Sequence, residues 1–175
     1  MNYKQTENWI LNRLPFYQSQ GSKAYKPGLD NIRSFVDHLN INIQELKFIH
    51  VGGTNGKGST CAYLSSIIQE SGYRVGTFTS PHFFDYRERI KVNNNKIEKA
   101  FISKFILNNK DTIENLELTF FELSFGMSLC YYIKKNVDYA IIEVGLGGRL
   151  DATNIINPIL SVITNISYDH TEILG

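Results

Sequence analysis

Several features are scarce or missing in this chain of 175 residues, and each absence restricts the class of protein. Only two cysteines occur, Cys61 and Cys130, both in predicted helices and without metal-ligand spacing, which predicts reduced core thiols. No apolar segment approaches membrane-spanning length, and the polar first residues lack the apolar run of a signal peptide. We therefore expect a cytoplasmic protein without a membrane partner. The formal net charge of +1 gives no reason to expect nucleic-acid binding.

One stretch, FIHVGGTNGKGST at 48–60, combines a strand-like apolar run, a glycine-rich turn and the start of a helix. The helix is indicated by apolar residues at three- and four-residue intervals: Cys61, Leu64, Ile67 and Ile68. This context suits a phosphate-binding loop, because glycines aim backbone N–H groups inward and the helix N-terminus adds positive charge. A nucleotide is thus predicted to contact Thr54, Asn55, Gly56, Lys57, Gly58, Ser59 and Thr60. The alternative is a glycine-rich turn without a ligand.

The loop departs by one residue from the usual phosphate-loop pattern, in which a hydroxyl residue directly follows the lysine. Here Gly58 stands between Lys57 and Ser59. The run Thr-Asn-Gly-Lys-Gly-Ser resembles the phosphate loop of the folylpolyglutamate synthase/dihydrofolate synthase family, a branch of the Mur ligase superfamily. The Lys57 ammonium is then expected to neutralise charge at the terminal phosphates of the nucleotide.

The residues before this stretch predict two helices and a loop between them. The first helix, over 6–14, carries the only tryptophan, and a loop with Gly21 and Gly28 follows. Asp30 is placed to cap the second helix, whose apolar stripe is Ile32, Phe35, Val36 and Leu39. The residues alone indicate only a loop before that helix. The resemblance implies that the loop borders a pterin pocket with Lys26, Pro27, Gly28 and Leu29.

A second strand is predicted over 73–79, and Ser-Pro-His follows at its carboxyl end, where open α/β sheets bind ligands. An isolated Ser-Pro usually just starts a loop. Together with the Arg-Glu-Arg-Ile that follows, however, Thr-Ser-Pro-His resembles a second signature of the family. The resemblance implies that Ser80 is a magnesium ligand and that His82 neighbours the folate substrate. Arg89 either meets an anionic substrate or forms a surface salt bridge with Glu88 or another acid.

The middle of the chain predicts a short hairpin over 90–97, a helix over 98–107 and a polar loop over 108–115. Thr119 and Glu122 then form a capping box that opens a helix. This helix is apolar nearly all round, so we expect it to be central and buried. The resemblance also assigns its start to the dihydropteroate site, a role compatible with the cap, through Thr119, Phe120, Phe121 and Glu122.

A nearly unbroken apolar strand over 139–144 contains one carboxylate, Glu143. A carboxylate near the end of a buried parallel strand is costly unless it is paired or bound to a metal. Glu143 is therefore either a Walker-B-type acid that holds magnesium beside the phosphates or the partner of a nearby lysine or arginine. The residues from Glu143 to Asn154 closely match the longest family signature. The resemblance implies a pterin bordered by Leu150, Asp151 and Ala152, with Arg149 bracing Asp151 in a turn as the alternative.

A last strand is predicted over 159–163, and His170 follows beyond its carboxyl end. A lone histidine there is usually an ordinary loop residue. The resemblance implies that His170 is the third magnesium contact, although magnesium prefers oxygen ligands. The remaining two histidines considered, His38 and His50, carry no functional signal and are interpreted as an exposed helix residue and a strand residue.

Four apolar strands alternate with helices, and 42% of the residues are hydrophobic. This pattern predicts an α/β fold with three layers and a mainly parallel sheet. The resemblance implies that this fold is of the P-loop type and similar to the central domain of Mur ligases. No helix is predicted to cover the last strand. The resembled family continues past this point, so the resemblance implies that residues 1–175 form an amino-terminal, incomplete ATPase domain that lacks a carboxyl-terminal ligase domain.

The resemblance implies an ADP-forming ligase that joins L-glutamate to dihydropteroate or a reduced folate, with ATP and Mg²⁺, through an acyl phosphate. The implied catalytic residues are Lys57, Glu143 and His170, and the implied magnesium ligands are Ser80, Glu143 and His170. We expect a monomer, and the chain alone to be inactive. Two alternatives remain, a non-catalytic nucleotide-binding fragment and a Mur-type cell-wall ligase.

Overall fold

A six-stranded sheet forms the centre of the molecule in the computed structural model, which describes residues 1–15 and 26–175. The strands lie in the order β4-β3-β2-β5-β1-β6. Four of them are parallel, whereas β3 and β4 form an antiparallel hairpin at one edge. Their bounds are β1 Lys47–Gly52, β2 Val75–Phe78, β3 Ile90–Val92, β4 Asn95–Lys96, β5 Tyr139–Glu143 and β6 Pro158–Ile163. The predicted α/β fold with a mainly parallel sheet is confirmed.

Helices cover both faces of this sheet. One face is packed by α3, which meets a small apolar cluster of Ile49, Val51, Cys61, Val75 and Ile141. The larger core lies on the other face, around α5, with α1, α2 and α4 packed against it. The helices are α1 Tyr3–Arg13, α2 Asp30–His38, α3 Lys57–Glu70, α4 Lys99–Asn115, α5 Phe120–Lys134 and α6 Thr171–Leu174. Shorter 3₁₀ turns span Ile43–Glu45, Tyr86–Arg89 and Ala152–Ile155.

The predicted capping box opens α5. The Thr119 hydroxyl accepts a hydrogen bond from the Glu122 backbone N–H, and the Glu122 carboxylate accepts one from the Thr119 N–H. Helix α5 is buried on nearly every side, as its apolar sequence predicted. Gly126 allows α2 to approach closely, since a Cβ there would lie 2.7 Å from the Phe35 ring.

Helix α4 extends eight residues beyond its predicted end, because the polar segment 108–115 continues the helix. Ile113 in this segment is fully buried, while its polar neighbours lie on the outer face. Asn109 and Thr112 also hydrogen-bond to the exposed His38 of α2, which attaches the segment to the neighbouring helix. Alternating polar residues with a single apolar contact give too weak a periodic signal to indicate a helix.

Two other local expectations were wrong, the cap of α2 and the length of β2. Asp30 is the first residue of α2 and not its cap, which is Leu29 without a side-chain hydrogen bond. Ile67, whose spacing helped to indicate α3, lies on the solvent side of that helix, with 64% of its surface exposed. Strand β2 is shorter than predicted and excludes Tyr73. The loop residue Gly21 lies outside the described residues.

Strand β6 forms the second edge of the sheet and pairs with β1. None of its residues is buried, and several of its side chains are large and apolar: Ile159, Leu160 and Ile163. The exposure lies on both faces of the strand. Among residues 1–15 and 26–175, no helix has the length and apolar character needed to cross a bilayer.

Candidate nucleotide and substrate site

A cavity of about 500 Å³ opens where the carboxyl ends of β1, β2 and β5 meet. This is the edge at which parallel α/β sheets bind ligands. Its wall combines glycines, charged side chains and aromatic rings from segments far apart in the sequence. The lining residues are Pro15, Lys26, Gly28, Thr54, Asn55, Gly56, Lys57, Gly58, Ser80, Pro81, Arg89, Thr119, Phe120, Phe121, Glu122, Glu143, Gly145, Leu146, Leu150, Asp151, Ala152 and His170.

The predicted phosphate loop connects β1 to α3 at one side of this cavity. Gly56 has a φ of +82°, a left-handed conformation that a glycine adopts without strain, and α3 begins at the next residue. The first helical hydrogen bond is donated by Thr60 to the Gly56 carbonyl. The N–H groups of Lys57, Gly58 and Ser59 therefore precede the hydrogen-bonded part of the helix and suit an anion.

Lys57 folds back across its own loop. Its Nζ donates to the carbonyl oxygens of Gly53, at 2.8 Å, and Thr54, at 3.0 Å. An ammonium has three donors, so one remains for a phosphate oxygen while the other two brace the loop. The side chain is half-buried, which holds the charge close to the loop.

A segment from Thr164 to Ser167, directly after β6, fixes the shape of the phosphate loop. The Asn165 side chain accepts from the Asn55 N–H at 3.1 Å and donates to the Asn55 carbonyl at 3.1 Å, and the Asn165 carbonyl accepts from the Thr54 N–H. Gly53 has no space for a side chain, because a Cβ would lie 2.1 Å from the Thr164 Oγ1. With the Thr54 and Asn55 amides already committed, phosphate donors must come from Gly56 onward.

The role of Asn165 was not predicted from the sequence. A Thr-Asn pair at the carboxyl end of a strand next to the phosphate-loop strand was the available signal. It is a weak one, because the hydrogen bonds join residues 110 positions apart.

Glu143 ends β5 and lies at the base of the cavity, with only 4% of its surface exposed. Its Oε2 accepts a hydrogen bond from the Ser80 backbone N–H at 2.9 Å. Burial raises the pKa of the Glu143 carboxyl, and the Ser80 N–H and the charges of Lys57 and Arg89 act in the opposite direction. Within the described residues, Glu143 forms no ion pair with a lysine or arginine, so that alternative is wrong for this part of the chain.

Space for a ligand lies between Glu143 and the phosphate loop. A Cβ on Gly58 would come within 3.7 Å of both Glu143 carboxylate oxygens, so the glycine leaves this space open. Ser80, Glu143 and His170 all line the cavity. His170 is exposed, and its Nε2 lies 3.6 Å from the Asp169 carboxylate.

In the described part of the chain, no group of three His, Cys, Asp or Glu side chains is arranged to hold a metal alone. One carboxylate and one hydroxyl residue instead fit Mg²⁺, which usually binds one or two protein oxygens together with phosphates and water.

Arg89 is buried in the opposite wall, with 3% of its surface exposed. Its Nε donates to His82 Nδ1 at 2.8 Å, and its guanidinium lies 4.8 Å from the centre of the Phe120 ring. Burial lowers the pKa of Arg89 to about 10, so it remains charged at neutral pH. Burial and the Arg89 charge lower the pKa of His82, which favours the neutral imidazole that this hydrogen bond requires.

A surface salt bridge between Arg89 and Glu88 is not found. The Glu88 carboxylate accepts hydrogen bonds from the backbone N–H groups of Phe83 and Asp85 and pairs with Lys96 at 3.3 Å. Arg89 instead faces the cavity, which agrees with the alternative of an anionic substrate.

Asp151 anchors the third wall, the loop from Gly145 to Ala152. Its Oδ2 accepts from the Gly145 and Leu146 N–H groups at 3.1 and 2.9 Å, and its Oδ1 accepts from the Thr153 N–H and hydroxyl. Burial raises the pKa of Asp151, while these four donors stabilise its charge. The Arg149 side chain is exposed, so backbone amides and Thr153, and not Arg149, hold Asp151.

Most of the predicted site residues thus meet in one cavity, but some do not reach its wall. Ser59 and Thr60 lie further along α3, while His82 stacks behind Phe120 with ring centres 6.2 Å apart. Lys26 is at the wall, where its Nζ pairs with Glu117 at 3.1 Å. The predicted residues that do not line the cavity are Pro27, Leu29, Ser59, Thr60 and His82.

Residues 51–175 match the family described as the Mur ligase middle domain. The chain is 39% identical over 180 residues to a dihydrofolate synthase/folylpolyglutamate synthase of Bacillus subtilis (strain 168), covering 99% of this chain and 40% of that protein. It is 48% identical over 153 residues to a protein of the same description from Buchnera aphidicola subsp. Schizaphis graminum, covering 87% of this chain and 34% of that protein.

Solved structures agree with these similarities. A bifunctional folylpolyglutamate synthase/dihydrofolate synthase from Yersinia pestis, complexed with AMPPNP and a Mn ion, superposes with a TM-score of 0.84 at 32% identity, covering 100% of this chain and 41% of that chain. The chain therefore spans about two fifths of the length of that protein.

Proposed function

The chain belongs to the Mur ligase middle-domain family, and on that premise we propose that it is the ATP-binding part of a ligase that joins L-glutamate to dihydropteroate or a reduced folate. One observation carries the proposal. The phosphate loop and the Glu143–Ser80 pair line the same cavity as the buried Arg89 and the aromatic residues of α5. A nucleotide and an acidic aromatic substrate can therefore meet there.

The proposed nucleotide site is the loop from Thr54 to Thr60. Its support is the group of amides at the start of α3 together with the Lys57 ammonium, which provide the donors that phosphate oxygens need. Magnesium would be held by Ser80 and Glu143 beside the phosphates, with His170 as a third contact. When bound, the ion would neutralise charge on the transferred phosphoryl group.

The proposed chemistry needs no enzyme nucleophile. An oxygen of the substrate carboxylate attacks the γ-phosphorus of ATP, the bond to the β-phosphate oxygen breaks, and ADP and an acyl phosphate form. The amine of L-glutamate then attacks the acyl carbon, and inorganic phosphate leaves as the amide forms and the nitrogen loses its proton. Lys57 stabilises the charge that develops on the phosphoryl oxygens, and positioning supplies the remaining acceleration.

The proposed substrate half of the cavity is formed by Arg89, the start of α5 and the loop that contains Asp151. Phe120 and Phe121 offer flat apolar surfaces, and Arg89 offers a buried positive charge for a carboxylate. The other residues that we propose for this half line the cavity: Lys26, Gly28, Thr119, Glu122, Leu150, Asp151 and Ala152. Pro27, Leu29 and His82 were also predicted but do not line it.

We further propose that this chain acts as part of a larger, monomeric, cytoplasmic enzyme and is inactive alone. The apolar residues exposed on β6 support a larger structure, because an edge strand of this kind is normally covered. The free thiols of Cys61 and Cys130, whose pKa burial raises to about 12, agree with a reducing compartment.

Calorimetric titration of the purified chain tests the proposal. We expect Mg²⁺-dependent binding of an ATP analogue that Lys57→Ala abolishes, and separate binding of dihydropteroate that Lys57→Ala leaves unchanged. Nucleotide binding without any affinity for dihydropteroate or reduced folates would favour a nucleotide-binding module. Binding of a cell-wall precursor instead of a pteroate would favour the Mur-type wall ligase. No nucleotide binding at all would refute the proposal.

A further inference from the structure

A chain of hydrogen bonds connects the half-buried His50 of β1 to the wall of the cavity. His50 of β1 lies on the same face of the sheet as the larger core. Its Nε2 is 2.8 Å from the Thr153 hydroxyl oxygen, and that hydroxyl is in turn bonded to the Asp151 carboxylate. His50 and residues 151–153 are about 100 positions apart and meet only in the folded chain. The sequence around either segment therefore does not indicate this contact.

We propose that His50 is a positioning residue that acts through Thr153 on Asp151 and so holds the Gly145–Ala152 loop in the shape that binds the non-nucleotide substrate. That the loop binds the non-nucleotide substrate rests on the proposed function. That His50 holds the loop in shape rests only on the hydrogen bonds described here.

The direction of the hydrogen bonds follows from the chemistry of the three groups. An ionised carboxylate only accepts, so the Thr153 hydroxyl must donate to Asp151. The same Thr153 oxygen then accepts, and its donor is the Nε2–H of His50. Burial lowers the pKa of His50, which favours the neutral ring. The hydrogen bond to Thr153 assigns the single N–H of that ring to Nε2. This arrangement fixes the rotation of the Thr153 hydroxyl, which is fully buried.

Asp151 transmits this constraint to the cavity. Its other oxygen accepts from the Gly145 and Leu146 amides, so one carboxylate ties the beginning of the loop to its end. The loop has little freedom to shift there, since a Cβ on Gly145 would lie 2.6 Å from the Phe121 ring and 2.9 Å from the Asp151 carboxylate. A rotation of Asp151 would therefore move the backbone that lines the cavity.

The test compares three variants with the native chain. His50→Gln keeps an N–H donor near the position of Nε2, His50→Phe removes it while filling the space, and Thr153→Val removes the central hydroxyl with little change in shape. The measurements are the His50 tautomer by long-range ¹H–¹⁵N NMR, hydrogen exchange at the Gly145 and Leu146 amides, and calorimetric dissociation constants for dihydropteroate and for AMPPNP with Mg²⁺.

We expect the Nε2–H tautomer in the native chain. In His50→Phe and Thr153→Val, exchange at both amides should accelerate and dihydropteroate affinity should fall, each by about tenfold, which corresponds to one lost hydrogen bond. His50→Gln should restore both values to within about threefold, and AMPPNP affinity should stay constant in all variants.

Three results would overturn the inference: an Nδ1–H tautomer, unchanged exchange in His50→Phe and Thr153→Val, or an equal loss of both ligands. If the native chain binds no dihydropteroate and exchange still accelerates in the variants, the positioning role holds and the proposed substrate is wrong. If dihydropteroate binds equally to all the chains, the inference about His50 fails and the proposed function stands.

Discussion

The Glu143 carboxylate accepts a hydrogen bond from the Ser80 backbone N–H, which joins the carboxyl ends of β5 and β2 beneath the cavity. Only one of the two carboxylate oxygens receives this bond, and a Cβ on Gly58 would lie 3.7 Å from both. The carboxylate therefore also lies next to the start of α3, at the phosphate loop. This arrangement suits a carboxylate that positions a loop and contacts a cation at the same time.

Replacing Glu143 should separate stability from ligand binding. Burial raises the pKa of Glu143 above its usual value of 4.5. The unfolded chain thus releases this proton at a lower pH than the folded chain. The corresponding stability is present below the unfolded pKa and is lost as the pH rises through the folded pKa. The Glu143→Gln variant does not titrate at this position, so it does not lose this stability as the pH rises. Its amide oxygen can still accept the hydrogen bond from the Ser80 N–H.

We therefore expect Glu143→Gln to melt at a higher temperature than the native chain at pH 7. At pH 4 the two melting temperatures should differ little. The same variant should weaken Mg²⁺-dependent binding of AMPPNP by at least about tenfold, because a neutral amide is a poor magnesium ligand. Thermal melts at both pH values and titrations with and without EDTA measure these effects. Unchanged Mg²⁺ dependence would show that Glu143 serves only to hold Ser80.

Asn165 should matter for nucleotide binding because its side chain holds the phosphate loop at Asn55. Asn165→Ala removes both side-chain hydrogen bonds to Asn55, which hold the phosphate loop in shape. At about 0.5–1.5 kcal/mol for each of the two bonds, we expect roughly 5- to 150-fold weaker AMPPNP binding by calorimetry. Asn108→Ala on the exposed side of α4 is the matched control. Loss of melting temperature with native affinity would mean that Asn165 stabilises the fold without preparing the site.

Local sequence patterns predicted the parts of this molecule that local forces determine. The strand–turn–helix around Lys57 and the capping box of Thr119 with Glu122 each depend on residues within a few positions. Segment 108–115 was wrongly predicted as a loop. Its helical structure depends on the burial of Ile113 and on hydrogen bonds to His38 of α2. Tertiary packing overrides a weak local pattern in such segments.

The candidate site was only partly predictable for the same reason. The resemblance implied a set of ligand-binding residues, and the structure brings most of them to one cavity. It gave no information about the residues that hold them, such as Asn165 or His50, whose partners lie about 100 positions away. The burial of Arg89 was likewise not readable from a charged run that resembles a solvated surface.

Arg89 should determine affinity for the acidic substrate and not for the nucleotide. Arg89→Met keeps much of the apolar volume and removes the buried charge at the cavity wall. A charge-assisted hydrogen bond contributes about 1.5–3 kcal/mol, so we expect dihydropteroate binding to weaken by roughly 10- to 150-fold with AMPPNP affinity unchanged. Arg87→Met, in the same 3₁₀ turn, removes an arginine that pairs with Asp85 and serves as the control.

Titration of both ligands into the two arginine variants measures this difference. Equal weakening by Arg87→Met and Arg89→Met would point to a general effect of the turn on the fold. If Arg89→Met binds dihydropteroate with native affinity, Arg89 does not contact the substrate. Its role is then structural, through its contacts with His82 and Phe120.

Strand β6 should make the isolated chain bind apolar dyes. Leu160 and Ile163 expose 48% and 69% of their surfaces, at an edge of the sheet that is open among the described residues. Exposed apolar surface of this kind binds the fluorescent dye ANS. We expect strong ANS fluorescence from the native chain and a clear decrease in the double variant Leu160→Lys, Ile163→Lys. Ser161→Lys adds a charge to the same strand without removing an apolar side chain, so it should change the signal little. An equal decrease in this control would assign the signal to charge, and no decrease in the double variant would locate the dye elsewhere.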